Sequence, residues 1–109
     1  MKISEVVNKT GLEALTSWDD EELTGVYISD MVSDIITGAT GCGLLLTLQT
    51  HKSLIAAANL VDVGMVVFVK GKRPSQDVVE LASKAGLGLF SCGDDTWTFA
   101  VKLAELGLR

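Results

Sequence analysis

Four short apolar runs recur along the chain: Leu23 to Ser29, Leu44 to Gln49, Met65 to Lys70 and Leu87 to Cys92. Aligned on Leu23, Leu44, Met65 and Leu87, they lie 21, 21 and 22 residues apart. Glycine or polar residues bound each run, and a stretch of helical period follows it, so the unit that repeats is a strand and a helix. Such alternation predicts an α/β fold. The two middle runs, Leu44, Leu45, Leu46 and Val66, Val67, Phe68, Val69, are almost continuously apolar, as central strands covered on both faces must be. The expected architecture is a three-layer domain: a central, mostly parallel sheet of about four to five strands with short helices on both faces.

The helices are marked by their ends. Asp30 to Thr37 sets Met31, Val32, Ile35 and Ile36 on one face and stops at Gly38, a residue suited to the left-handed C-terminal position. Thr50 is predicted to cap His51 to Val61, where Leu54, Ile55, Ala58 and Val61 recur at helical spacing. Pro74 and Ser75 open a third helix with Val78, Leu81, Ala82 and Ala85 facing inward before Gly86. Asp94 and Asp95 begin the last, whose inner stripe is Ala100, Leu103 and Ala104 before Gly107. At the start of the chain Ile3, Val6 and Val7 share a helical face that ends at Gly11, and Leu12 to Leu15 reads as an edge strand.

Composition narrows this picture by exclusion. A chain of 109 residues makes one domain, 1–109, and 48% apolar residues with the single proline Pro74 exclude disorder. The most apolar window, residues 54–69, contains Asn59 and Asp62 and falls short of the about 20 residues of a spanning helix. A soluble protein with no membrane partner is expected. The net charge of −5 argues against nucleic acid, which requires clustered Lys and Arg. That charge is uneven: residues 1–34 hold eight acids and two lysines, residues 35–109 six acids and seven bases. The acidic third is either a solvated face or a docking face for a partner protein, and Trp18 to Glu22 within it reads as an exposed loop. Cys42 and Cys92, with no apolar leader after Met1 and Lys2, point to free thiols in the cytoplasm. Neither a cofactor nor a metal site is expected, since one histidine and two distant cysteines fall short of the four ligands of structural zinc.

Ligands of open parallel sheets bind at the carboxyl ends of strands, where helix N-termini and loop amides converge. That rule selects Ser29-Asp30, Thr47 to His51, Lys70 to Arg73 and Ser91 to Asp95. The candidate ligand-binding residues are Ser29, Asp30, Thr47, Gln49, Thr50, His51, Lys70, Lys72 and Cys92. Asp30, Thr50, Ser75 and Asp95 equally suit helix caps. No catalytic residue is assigned. Gly-x-Ser-x-Gly is absent, and Gly71-Lys72 is not a P-loop, because Val66 and Arg73 stand where Gly and Ser or Thr are needed. His51, the sole histidine, is either a general base or a first-turn residue bonded to nearby backbone. Cys42, ahead of its strand, is expected at the rim opposite His51, which disfavours a Cys–His pair.

Leu23-Thr24-Gly25-Val26-Tyr27-Ile28-Ser29-Asp30-Met31-Val32-Ser33-Asp34 and Leu46-Thr47-Leu48-Gln49-Thr50-His51 resemble the DRTGG domain family. The likeness spans nearly the whole chain, including the Gly71 and Pro74 loop and the Gly107 ending. Glu22, Leu23, Thr24, Gly25 and Val26 occupy the five places of the name motif, and Thr24 and Gly25 match it. The family is similar to the N-terminal domain of HPr kinase/phosphorylase, and its members occur beside CBS domains in some pyrophosphatases and near the catalytic part of some phosphotransacetylases. The resemblance implies a single DRTGG-like domain, a noncatalytic regulatory module that senses a small anionic or nucleotide-like ligand or a partner protein, as a homodimer. The kinase chemistry of those relatives resides in a separate P-loop domain that these residues do not contain. Two alternatives stand beside it: a protein–protein adaptor docking through its acidic third, and a small enzyme using His51 with Asp30 or Cys92.

Overall fold

A computed structural model describes residues 1–39, 41 and 43–108. The elements run α1 (Ile3–Thr10), β1 (Glu13–Ala14), β2 (Val26–Ile28), α2 (Val32–Gly38), β3 (Leu44–Thr47), α3 (Lys52–Leu60), β4 (Met65–Phe68), α4 (Gln76–Ala85), β5 (Gly88–Ser91) and α5 (Thr96–Leu106). The strands form one sheet in the order β1-β5-β4-β3-β2. β2 to β5 are parallel, and β1 adds an antiparallel edge through Glu13 opposite Ser91 and Ala14 opposite Phe90.

Because β2, β3, β4 and β5 lie side by side in chain order, right-handed crossovers all advance the same way and drop their helices on one face. α2, α3 and α4 share that face, with Ile35, Leu54, Ile55, Val78 and Ala82 packed on Leu45, Val66, Phe68 and Leu89. α1 and α5 cover the other, where Ile3, Val6, Phe99 and Leu103 meet Leu44, Leu46, Met65, Val67 and Phe90. Successive residues of β3 and β4 go to opposite clusters, the two-residue period of a pleated strand. The three-layer expectation holds, with a five-stranded sheet and the edge strand placed within Leu12 to Leu15.

Several boundaries differ from the sequence reading. The register aligns Val26, Leu44, Met65 and Gly88, so Leu23 and Leu87 lie outside the strands. Both are buried, but the Leu23 N–H donates to Met1 O at 2.8 Å and the Leu87 N–H to Ala82 O at 3.0 Å, which ends α4. A buried loop leucine next to a strand carries the same hydrophobic signal as a strand residue. On α2 only Ile35 is buried, while Met31 and Ile36 are exposed. This helix lies over the edge strand β2, where the sheet ends. The inner line of α4 is Val78 and Ala82, with Leu81 and Ala85 exposed, and that of α5 is Phe99 and Leu103, with Ala104 exposed. In both, the buried residues are four apart, the narrow stripe of a helix on a sheet. Trp18 departs from its expected exposed loop: it is half-buried and meets Phe90 edge-on at 5.7 Å. Cys42, whose rim the sequence reading assigned, lies outside the described residues.

The Tyr27 hydroxyl donates to Asp34 Oδ2 at 3.0 Å and lays its ring against the last turn of α2 at Gly38. A Cβ on Gly38 would overlap the hydroxyl and ring edge. Gly38→Ala is therefore expected to cost about 1–3 kcal/mol, the usual range for overpacking. In a Tyr27→Ala background the same change should be neutral or stabilising, since alanine suits a helix better than glycine. Urea unfolding of the four proteins checks both.

Candidate functional site

At the carboxyl ends of β2 and β3, the polar residues are wired to one another. Asp30 Oδ1 accepts from the Thr47 hydroxyl and from the Leu48 N–H, each at 2.8 Å. The Thr47 oxygen in turn accepts from the Gln49 N–H at 3.1 Å. Gln49 Oε1 accepts from the Thr50 and His51 N–H groups, again at 3.1 Å. His51 Nδ1 then accepts from the Ser53 N–H at 3.2 Å and lies 2.9 Å from the Ser53 hydroxyl. One chain of hydrogen bonds thus runs from the end of β2 to the first turn of α3. His51, not Thr50, caps that helix. Both are polar neighbours at the helix start, and the choice falls to the one with an acceptor aimed at the second helical N–H.

This wiring sorts the predicted residues. Thr47 is 1% exposed and its hydroxyl is committed to Asp30, so both are internal ties of the rim. Ser29 belongs to the same support, its hydroxyl accepting from the Met31 N–H at 3.2 Å. Gln49, Thr50 and His51 line a cleft of about 340 Å³ with Lys52, Ser75 and Asp77. The cleft opens between the first turns of α3 and α4, which lie on the same face of the sheet. Among the described residues, side-chain groups left over for a ligand include the Gln49 amide nitrogen, the Thr50 hydroxyl, His51 Nε2 and the hydroxyl of Ser75, which makes no capping bond of its own. Ser75 entered the sequence reading only as a cap, and Asp77 not at all. Their signal was available: each lies just after the β4 run, in the helix start that parallel pairing of β3 and β4 brings beside residues 49–51.

Lys70, Lys72 and Cys92 sit at the same end of the sheet, beyond β4 and β5, and do not line the cleft. Hydrogen bonds to the backbone fasten this part: the Lys70 N–H donates to Asp94 O at 2.7 Å, the Gly71 N–H to Cys92 O at 2.8 Å, and the Ser91 hydroxyl to Lys72 O at 3.1 Å. Among the described residues neither lysine is in an ion pair, whereas Lys102 pairs with Asp94 at 2.6 Å. Cys92 is half-buried against the α1 and α5 cluster, and burial pushes its thiol up, away from the reactive thiolate. His51 caps a helix of the opposite layer, so His51 and Cys92 belong to different faces.

Asp95 caps α5, its Oδ1 accepting from the Thr98 N–H at 2.8 Å. The backbone bond from Thr98 holds its carboxyl below the ordinary value, and the Thr98 side chain adds to this. A carboxyl depressed in the folded state stabilises the fold above its unfolded value, and that contribution disappears as pH falls through the lowered one. Acidification through this range should therefore loosen the first turn of α5. Asp95→Asn keeps a capping oxygen that does not titrate and should remove this sensitivity, as amide exchange at Thr98 would report.

A second cleft, of about 540 Å³, lies at the opposite, amino ends of the strands and carries Asp19, Glu21, Glu22 and Asp62 with Asn59. Among the described residues no cluster of three or more His, Cys, Asp or Glu has the arrangement of a metal site, and no helix is long and apolar enough to cross a membrane.

No family model matches the sequence, and no curated protein matches it. Among solved structures the chain is similar to the crystal structure of the CBS and DRTGG domains of the regulatory region of Clostridium perfringens pyrophosphatase, complexed with its activator diadenosine tetraphosphate. The TM-score is 0.73 at 16% identity, over 98% of this chain and 47% of that one, so this chain spans about half the length of its neighbour. The mostly parallel five-stranded sheet with its two helical layers is thus a fold found in that CBS and DRTGG region.

Proposed function

We propose that this chain is a noncatalytic regulatory module, a single DRTGG-like domain over residues 1–109, that senses a small anionic or nucleotide-like ligand in the cleft between α3 and α4. The observation that carries this reading is the position of the cleft. It stands at the carboxyl ends of parallel strands, with unspent hydrogen-bonding groups from Gln49, Thr50, His51 and Ser75 around it. Ser29, Asp30 and Thr47 brace the rim beside it, while Lys70 and Lys72, with Cys92 beside them, supply positive charge further along the rim for the phosphates of a longer ligand. The fold neighbour, a regulatory region crystallised with a nucleotide activator, supports the ligand class. The cysteine usage suits a reducing cytoplasm.

A thermal-shift screen over nucleotides and phosphorylated metabolites, with diadenosine tetraphosphate included, tests it. A ligand at a hundred times its Kd adds about 2.7 kcal/mol to the native state, or roughly 10 °C or more in a domain of this size. Mutating Gln49 and Ser75 together to alanine should abolish the shift. The adaptor reading has one observation in its favour, the acidic cleft at the other end of the sheet. No shift with any of these compounds, together with saturable binding of a basic peptide, would favour it instead.

We also assign a homodimer. Ile28, Met31 and Ile36 are exposed beside the open edge of β2, and two-fold dimers are the commonest oligomers. Sedimentation as an 11.5 kDa monomer at high micromolar concentration would count against it.

A further inference from the structure

We propose that His51 is a pH-operated cap: neutral, it closes the first turn of α3, and protonated, it releases that turn and adds a positive charge to the cleft. The second half rests on the ligand site proposed above; the first does not. Helix caps are usually oxygens of Ser, Thr, Asp or Asn. Here the acceptor is Nδ1, which takes the Ser53 N–H at 3.2 Å. A backbone N–H can only donate, so Nδ1 must hold a lone pair and the ring proton must sit on Nε2. With Nδ1 as acceptor, the cap requires the neutral ring with its proton on Nε2.

Protonation places a hydrogen on Nδ1. The ring can then donate to the Ser53 hydroxyl, 2.9 Å away, but can no longer accept the Ser53 N–H. One of the amides that a helix start leaves unpaired loses its acceptor, and a cation at this end opposes the helix dipole. Both effects drive the imidazole off the turn. The backbone before it stays anchored, because Gln49 Oε1 accepts from the Thr50 and His51 N–H groups. The charged residues lining the cleft are Lys52, from the same helix, and Asp77, facing it from α4, one of each sign. A protonated His51 tips that balance to positive. The chain has one histidine, so a change that follows imidazole protonation reads on His51 alone.

NMR of the full ¹⁵N-labelled chain tests the cap. At pH 8 the imidazole nitrogens should show the Nε2–H tautomer. On acidification the Ser53 amide should shift with the same midpoint as the ring, its exchange protection falling about fivefold, the usual worth of one N-cap. Sulfate, fully ionised throughout, tests the coupling: it should bind the cleft about five- to tenfold tighter at pH 5.5 than at pH 8, as one added charge at contact range implies. His51→Asn, an uncharged cap, should lose the pH dependence in both measurements and keep the helix. An Nδ1–H tautomer, or a Ser53 amide indifferent to the ring's titration, overturns the cap. Equal sulfate affinity at both pH values overturns the coupling alone. Sulfate that binds at neither pH overturns the coupling and the ligand reading together, with the cap judged by its own signals.

Discussion

Phe90→Ala is expected to cost about 3–5 kcal/mol of folding stability, a large share of the roughly 5–15 kcal/mol that a domain of this size possesses. Phe90 is fully buried in β5, opposite Ala14 on one side and Val67 on the other. Its ring carries the α1 and α5 layer and receives Trp18 edge-on, a contact that adds to the area it buries. Gly88, two positions back on the same strand, offers no side chain to fill the space, although an added Cβ there would lie 3.0 Å from the ring. Phe90→Leu, which retains most of the volume, should lose much less. Urea unfolding followed by fluorescence is a direct readout, since Trp18 loses its partner ring while Trp97 is already exposed. A loss below about 1 kcal/mol would mean that the layer rearranges to fill the gap.

Asp30→Ala should cost about 1–3 kcal/mol, although Asp30 is itself exposed. The penalty arises on its partner: Thr47 is buried, and without the carboxylate its hydroxyl loses its acceptor. The Leu48 N–H is exposed and can turn to water, so it contributes little. Thr47→Val removes the hydroxyl as well and should recover part of the loss, so that the double-mutant cycle gives a coupling of about 1 kcal/mol. The proposed ligand cleft should suffer alongside, because the Gln49 N–H depends on the same Thr47 oxygen and the Gln49 side chain sets the entry to α3. Additive single-mutant effects would show that the relay does not couple.

The strand–helix alternation, the parallel central sheet and the edge strand near Glu13 were legible in the sequence because each rests on a local period or on burial of both faces. That Gln49, Thr50 and His51 gather at the carboxyl ends of the strands followed from the same reasoning. Less was legible where the answer depends on distant partners. Asp30 and Thr47 are 17 residues apart, and nothing in either segment says that their hydrogen bonds are spent on each other. Ser75 and Asp77 join Gln49 and His51 only once β4 is known to lie beside β3. Leu23 and Leu87 shifted two of the expected strands because a buried loop position and a strand position are equally apolar.

The most direct measurement is chemical-shift mapping of the ¹⁵N-labelled chain with diadenosine tetraphosphate. Binding as proposed will move the amides of Gln49, Thr50, His51, Lys52 and Ser75, with smaller changes toward Lys72, and will leave residues 19–22 and Asp62 in place. Shifts confined to that acidic end of the sheet, or none at millimolar ligand, would contradict it.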